Sequence, residues 1–237
     1  MRRESWIRSL LGPSIDALRR LGARLSPAER RRRKRHAHVG PPGMWEMKRD
    51  FQIAFLRKAG LQPGHRLVDI GCGTLRGGLP LIRYLEPGHY VGVEAREEAL
   101  TEARRELEEN GLTDKDATLV HGSDLTQLNL PMQFDYAWAF SVLFHMPDDV
   151  LEGCIGFVAR HLRPGGVFYA NVHVGERKSR KWKQFPVVWR SMDFYRSLAI
   201  RHGMSVEDIG SLAEVGHDSG RPSHDEQRML KFNRPAA

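Results

Sequence analysis

Cysteine is scarce in this 237-residue chain: Cys72 and Cys154 are too few for a disulfide framework, and neither stands at metal-ligand spacing from another Cys or a nearby His. Both are read as reduced thiols, and no metal is expected. Long apolar runs are missing too. Nothing approaches the ~20 residues needed to cross a bilayer. The arginine-rich start has no compact apolar segment or small-residue cleavage site of the secretory kind, so a soluble, cytoplasmic protein is expected, with peripheral membrane contact left open. No internal repeat is visible. Acids are scarce in one place only. Residues 1–40 hold twelve Arg or Lys against Glu4, Asp16 and Glu29, so this segment carries +9 and the rest of the chain −1 of the total +8. A near-neutral body argues against extensive phosphate contacts by the folded part, although the tail "RRRRKRH" offers nonspecific attraction to nucleic acid.

What is present is enough for one core. At 41% hydrophobic the chain can bury one substantial core with a small appendage. The division read from this is a basic extension over 1–40 and one domain over 41–237. Within the extension, Ile7, Leu11, Ile15, Leu18, Leu21 and Leu25 recur at threes and fours between arginines, interrupted by Gly12 and Pro13. This reads as a basic amphipathic helix of about three turns after Pro13. It suits an anionic membrane surface, a partner or a mitochondrial presequence, and a solvated mobile tail is the plainer alternative. "HVGPPG" (38–43) punctuates the chain as a linker. A second basic run, "RKSRKWK" (177–183), reads as a solvated loop or as a contact for an anionic substrate.

A helix is expected over Trp45–Ala59. Beyond it, short apolar strands alternate with amphipathic helices. Strands are read at 66–71, 89–95, 117–122, 134–140 and 167–174. Helices fall at 75–85 with an irregular start at Pro80, along "REEALTEARRELEENG", and along "PDDVLEGCIGFVARHL", where "RPGG" then turns the chain. This rhythm means an α/β fold with a parallel sheet covered on both faces, doubly wound and Rossmann-like.

In such a sheet, ligands bind outside the carboxyl ends of the strands, where strand order reverses. "VDIGCGTLRGG" (68–78) puts a glycine loop directly after the first strand. Gly71 and Gly73 let backbone approach a ligand closely. The dinucleotide fingerprint would need glycine at position 76, which is arginine, so a pyrophosphate is not what this loop is built for. Asp69, two residues before the first glycine, would oppose a pyrophosphate and suits a ligand bearing an ammonium group beside a nucleoside.

These residues resemble the first motif of the class I S-adenosylmethionine-dependent methyltransferases. "YVGVEA" resembles the second, "HGSDL" the third, "FDYAWAFSVLFHMP" the fourth strand and its exit, and "LRPGGVFYANV" the fifth. The resemblance runs from about Leu61 to Val174, and its specificity comes from five segments in order. "TLRGG" with "MWEMKRDFQIAFLRKAGL" resembles a bacterial subgroup of these enzymes. The resemblance implies a seven-stranded sheet with the last strand antiparallel, completed by "MDFYRSLAIRHG", "MSVEDIG" and "EQRMLKFNR". It implies S-adenosyl-L-methionine as cofactor, held by Asp69, Gly71, Cys72, Gly73, Glu94, Ala95, Asp124, Leu125 and Phe140. In it Glu94 accepts from the ribose hydroxyls, Asp124 accepts from the adenine amine and the Leu125 amide donates. Isolated acids at strand ends also cap helices and solvate loops, which is the competing reading of Asp69, Glu94 and Asp124.

The implied activity is methyl transfer to oxygen or nitrogen of a small-molecule or lipid-linked acceptor. The alternatives are an RNA methyltransferase using the basic tail and a noncatalytic scaffold that binds cofactor or membrane. "FSVL" stands where enzymes acting on amide or adenine nitrogen carry a proline-rich tetrapeptide, which removes those classes. Cys154 falls mid-helix and points into the core, which argues against cytosine C5 chemistry. His145, leaving the fourth strand, is the candidate base, although Phe144 stands where related small-molecule enzymes carry Glu; a histidine that merely bonds the loop is the alternative. His173 and His121 are reserves. Trp45 and Met47 either close over the cofactor or pack. Arg76 holds a carboxylate of cofactor or substrate, or pairs with Asp69 or Glu46. Residues 175–190, with Trp182, Phe185, Pro186 and Trp189, are expected to cover the acceptor pocket, with a core role as the alternative.

Overall fold

The computed structural model describes residues 26–36, 42–182 and 185–236. The amphipathic helix read after Pro13 lies outside them, as do most of the linker residues. The basic run does contain a helix, α1 (Pro27–His36), started by a reciprocal cap: Glu29 N donates to Ser26 Oγ at 3.2 Å and Ser26 N to Glu29 Oε2 at 2.7 Å. Its last residue, His36, stacks on Trp45 with ring centroids 3.5 Å apart and lies 3.4 Å from a Glu106 carboxylate oxygen.

A 3-10 turn at Pro42–Met44 leads into α2 (Trp45–Lys58). Its buried residues Lys48, Phe51, Gln52 and Phe55 recur at threes and fours, forming one stripe toward the sheet. Then follow β1 (Leu67–Ile70), α3 (Gly78–Tyr84), β2 (Tyr90–Glu94), α4 (Glu97–Glu109), β3 (Thr118–His121) and β4 (Phe134–Ala139). After a 3-10 turn at Leu143–His145 come α5 (Asp148–His161), β5 (Leu162–Val174), β6 (Arg180–Trp182), β7 (Phe185–Val187) and β8 (Trp189–Arg190). The chain closes with α6 (Met192–Arg201), β9 (Ser205–Ser211), α7 (Pro222–Asp225) and β10 (Arg228–Asn233).

The main sheet runs β3-β2-β1-β4-β5-β10-β9. The first five strands are parallel, and β10 lies antiparallel between β5 and β9. The antiparallel last strand is as expected. The addition is β8, a short eighth strand pairing in parallel with the end of β5. Every residue of β1 and β2 is buried, as central strands covered on both faces require. Side chains alternate between two cores. Val68, Ile70, Val91, Val93, Phe168 and Val172 face α5 and α6. Leu67, Tyr90, Trp138 and Tyr169 face α2, α3 and α4. The period of two places Asp69, Glu94, Phe140, Asn171 and His173 on the α2 face, at the strand ends.

Two boundaries differ from those read in the sequence. The helix ends before "RPGG" as read, at His161, but the fifth strand starts at Leu162 and not at Val167: Phe134 pairs with Leu162 and Tyr136 with Val167, so the extra residues bulge out of one continuous β5. The helix read from Leu75 begins at Gly78, because Leu75 itself is left-handed at φ 61° and Pro80 is tolerated only in a first turn.

Trp138 is the anchor between α2 and the sheet. It is fully buried, its indole N–H donates to Gln52 Oε1 at 2.9 Å, and its ring stacks on Phe140 and tilts against Phe55. Trp138→Ala is expected to cost about 3–5 kcal/mol, from lost burial and a stranded Gln52 carbonyl. A denaturant titration checks this, and a midpoint unchanged from wild type would contradict it.

Candidate active site at the carboxyl ends of the strands

The chain runs outward from β1 to β2 to β3 and returns to β4 on the other side of β1, so strand order reverses between β1 and β4. At that point the structure opens a cavity of about 600 Å³. Asp69, Gly71, Cys72, Gly73, Glu94, Ala95, Leu125, Phe140 and His145 all lie in its wall. These residues come from distant parts of the sequence and meet because parallel strands deliver their ends to one edge.

The loop after β1 is held from beneath. The Gly71 and Cys72 amides donate to Val93 O at 2.7 and 3.2 Å, and the Gly73 amide donates to Glu94 Oε2 at 3.0 Å. Gly71 and Gly73 take φ of 71° and 58°, and a Cβ on Gly71 would lie 2.6 Å from Val142 Cγ2. Only glycine meets both demands at position 71. The Cys72 side chain packs under the loop beside Gly92, and its thiol is pushed well above its usual range by burial and by the charges of Asp69 and Glu94, so it is not a nucleophile here. Cys154, in α5, is fully buried, with its thiol pushed up to about 12 by burial.

The two acids in the wall have different settings. Glu94 accepts from Gly73 N, from Arg96 N at 3.1 Å and from Arg96 Nε at 2.8 Å. Arg96 is the part-exposed partner. A diol reaching Glu94 would take the place of the Arg96 side chain. Asp69 is buried and accepts from Tyr90 OH at 2.7 Å. Burial raises its pKa to about 7, with Glu94 adding to the rise and Tyr90 and Arg76 opposing it. A cation placed beside it would favour the carboxylate.

Asp124 is not brought to this wall. It is exposed on the loop after β3, where its Oδ1 accepts from the Thr126 amide at 2.9 Å and the Thr126 hydroxyl at 2.6 Å, which lowers its pKa. His121 also lies outside, bonded through Nε2 to Ala95 O at 2.9 Å. Trp45 is buried against His36, and neither it nor Met47 is in the cavity wall. Arg76 is in the wall and buried, and burial lowers its pKa to about 10 against the pull of Asp69.

The exit from β4 is fixed by side chains. Asn171 Oδ1 accepts from the Ser141 amide at 2.6 Å, and Asn171 Nδ2 donates to Gln227 Oε1, tying the loop to β5 and to the residue before β10. Ser141 sits at φ 61°, a costly conformation that this bond stabilises. His145 lies beyond, half-buried, with Nδ1 2.6 Å from Pro186 O and its pKa lowered by burial. With Nδ1–H donating to that carbonyl, Nε2 is the basic nitrogen of the neutral ring. Described residues from 175–182 and 185–190 border this side. β6 and β7 form a hairpin, Val188 N donates to Phe144 O, and Arg180, Lys181, Phe185 and Val187 line the cavity. Trp189 instead stacks on His173 at 4.6 Å.

Sequence reasoning missed Lys48, Arg221, His224 and Gln227, all in the wall. For Lys48 a signal existed: a lysine on the otherwise apolar stripe of α2, in step with Phe51 and Phe55. No cluster of metal-ligating side chains is found among the described residues. No helix among them is long and apolar enough to cross a membrane.

Residues 68–168 match the family model described as a methyltransferase domain. Among solved structures, the magnesium protoporphyrin IX methyltransferase from Synechocystis, crystallised with bound SAM, superposes with a TM-score of 0.60 at 20% identity, over 81% of each chain. A S-adenosylmethionine-dependent methyltransferase from Clostridium acetobutylicum superposes with a TM-score of 0.60 at 14% identity, over 81% of this chain and 92% of that one. This is the class I methyltransferase fold. Curated relatives include the sterol 24-C-methyltransferase of Yarrowia lipolytica, 33% identical over 112 residues. The (+)-O-methylkolavelool synthase of Herpetosiphon aurantiacus is 32% identical over 122 residues. Each match takes in 47% of this chain, but only 28% and 41% of those proteins.

Within the methyltransferase fold, the Asp69 setting has a measurable signature. Between about pH 4 and about pH 7 the carboxyl is protonated in the folded chain and ionised in the unfolded one, so it costs stability as pH rises, and above about 7 the cost is constant. Asp69→Asn is therefore expected to gain about 2–3 kcal/mol on the wild type between pH 5 and pH 8. Paired thermal melts at both pH values measure it, and a constant difference would show that Asp69 ionises normally.

Proposed function

We propose that the chain is an S-adenosyl-L-methionine-dependent methyltransferase acting on oxygen or nitrogen of a small-molecule or lipid-linked acceptor, with residues 41–237 as the catalytic domain and 1–40 as a basic extension. The observation that carries the reading is the junction of Gly73 and Glu94 beside buried Asp69, at the point where strand order reverses. The residues fit the cofactor. A carboxylate at the end of β2 suits a ribose diol, an acid beside the glycine loop suits an ammonium, and His224 Nδ1 is buried in the wall without a hydrogen-bond partner among the described residues. The relatives' names concern a sterol and a kolavelool, small molecules with apolar bodies, and Phe140, Phe144, Phe185 and Val187 offer such a body an apolar wall.

Bound S-adenosylmethionine supplies an electrophilic methyl group on a sulfonium. The chain's own work is then positioning, exclusion of water and handling of one proton. Glu94 would hold the ribose hydroxyls in place of the Arg96 side chain that it now accepts from. Asp69 holds the ammonium, and the loop from Gly71 to Gly73 and Ala95 shape the floor, with Cys72 supporting it. Leu125 and Phe140, both in the wall, would border the cofactor, while Asp124, which the resemblance assigns to the adenine, lies outside the wall with its carboxylate on Thr126. His145 Nε2 takes the acceptor's proton. Its lowered pKa keeps it neutral at pH 7, as a base must be.

Incubation of the chain with isotopically labelled S-adenosylmethionine and a metabolite extract is expected to yield a labelled product. Calorimetry is expected to show uptake of S-adenosylhomocysteine; no uptake, with a nicotinamide bound instead, would overturn the reading. His145→Ala should lower kcat on the order of 10²-fold or more while leaving S-adenosylhomocysteine affinity within about twofold. An unaltered rate would remove His145 as the base.

A further inference from the structure

The cavity wall is unbalanced in charge. Among the described residues it presents Lys48, Arg96, Arg180, Lys181 and Arg221 against two carboxylates, Asp69 and Glu94. Glu94 is already bonded to Arg96, and Asp69 to the Tyr90 hydroxyl. Asp225, the next acid, is outside the wall and committed: its carboxylate accepts from Ser219 and from the Arg221 amide, and lies 2.8 Å from His217 Nδ1. Lys48 is only 7% exposed, with its Nζ over the Phe140 ring at 5.7 Å. Burial, with the charges of Arg76 and Arg221 and against the pull of Asp225, lowers its pKa to about 7. His224 beside it is pulled to about 4 by burial and by Lys48 and Arg221. Buried cations are costly unless an anion meets them. The cofactor would bring a single carboxylate, enough to meet one of these cations and not the rest.

Resting on the methyltransferase reading, we propose that the acceptor itself is anionic, a carboxylate or phosphate on an apolar body, with its charged group on Lys48, Arg221 and His224 and its body against Phe140, Phe144 and Phe185. The geometry suits such a molecule. Lys48 is supplied by α2, and Arg221 and the neutral imidazole of His224 come from the segment before β10. Phe140 lies under Lys48 Nζ, Phe144 packs beside His145 and His173, and Phe185 belongs to the hairpin of β6 and β7. A neutral sterol or alcohol would leave Lys48 buried with no anion against it.

The test uses the full chain with dodecanoate, dodecyl phosphate and dodecanol as probes, each titrated calorimetrically with and without saturating S-adenosylhomocysteine. The expected result is that at least one anionic probe binds tenfold or more tighter than dodecanol, and still binds with S-adenosylhomocysteine present. The tighter of the two anions identifies the headgroup. Lys48→Met and Arg221→Gln should each weaken that probe about tenfold while changing S-adenosylhomocysteine affinity less than threefold. Arg221 is exposed, so its variant keeps the test valid should Lys48→Met fail to fold. Equal binding of dodecanol, or unchanged anion binding in a folded variant, would overturn the proposal. So would exclusion of the anion by S-adenosylhomocysteine, which would assign the cations to the cofactor carboxylate. If the anion binds as described and S-adenosylhomocysteine does not bind at all, the anion site stands and the methyltransferase reading falls.

Discussion

The hydrogen bond from the Gly73 amide to the Glu94 carboxylate is the contact on which the site depends. It joins the loop leaving β1 to the last residue of β2, and so fixes the distance between the two elements that meet at the reversal of strand order. The Gly71 and Cys72 amides on Val93 O reinforce it from below. Together they hold a loop with two left-handed glycines that would otherwise have many conformations. Everything above that loop, including the buried Asp69 and the Cys72 packing under Gly92, inherits its position.

Around this junction the molecule stores polar groups in a setting that opposes their ionisation. Asp69 and Lys48 are both moved to about 7, one upward and one downward, by the same cause, removal from water. Arg76 opposes the shift of Asp69 and Asp225 that of Lys48, and burial outweighs both. Such settings cost stability in the absence of ligand and are found where ligands bind. The architecture tolerates this because two separate apolar cores, one on each face of the sheet, stabilise the scaffold independently of the cavity.

Much of this was legible in the residues. Alternation of apolar runs with amphipathic helices implied a parallel sheet, and the acids at 69 and 94 with the glycines at 71 and 73 marked the cavity floor. Other features were not. Asp124 has the same sequence setting as Glu94, an acid after a strand, yet β3 is an edge strand and its exit loop faces solvent, so Thr126 takes the carboxylate. "RPGG" has turn chemistry, but pairing with β4 continues on both sides of it, and the sheet absorbs it as a bulge. Lys48 and Arg221 are separated by most of the chain, and no local pattern relates them.

By itself, then, the order of residues determined the element types, the doubly wound sheet with its antiparallel last strand, and the loop where a cofactor belongs, because these follow from periodicity, from glycine and from the delivery of parallel strand ends to one edge. Which acids face the cavity, how far burial moves their protons, and the gathering of cations from α2 and the segment before β10 were decided only by the tertiary structure. Burial and electrostatic proximity depend on contacts between distant segments, and those distances exist only once the chain has folded.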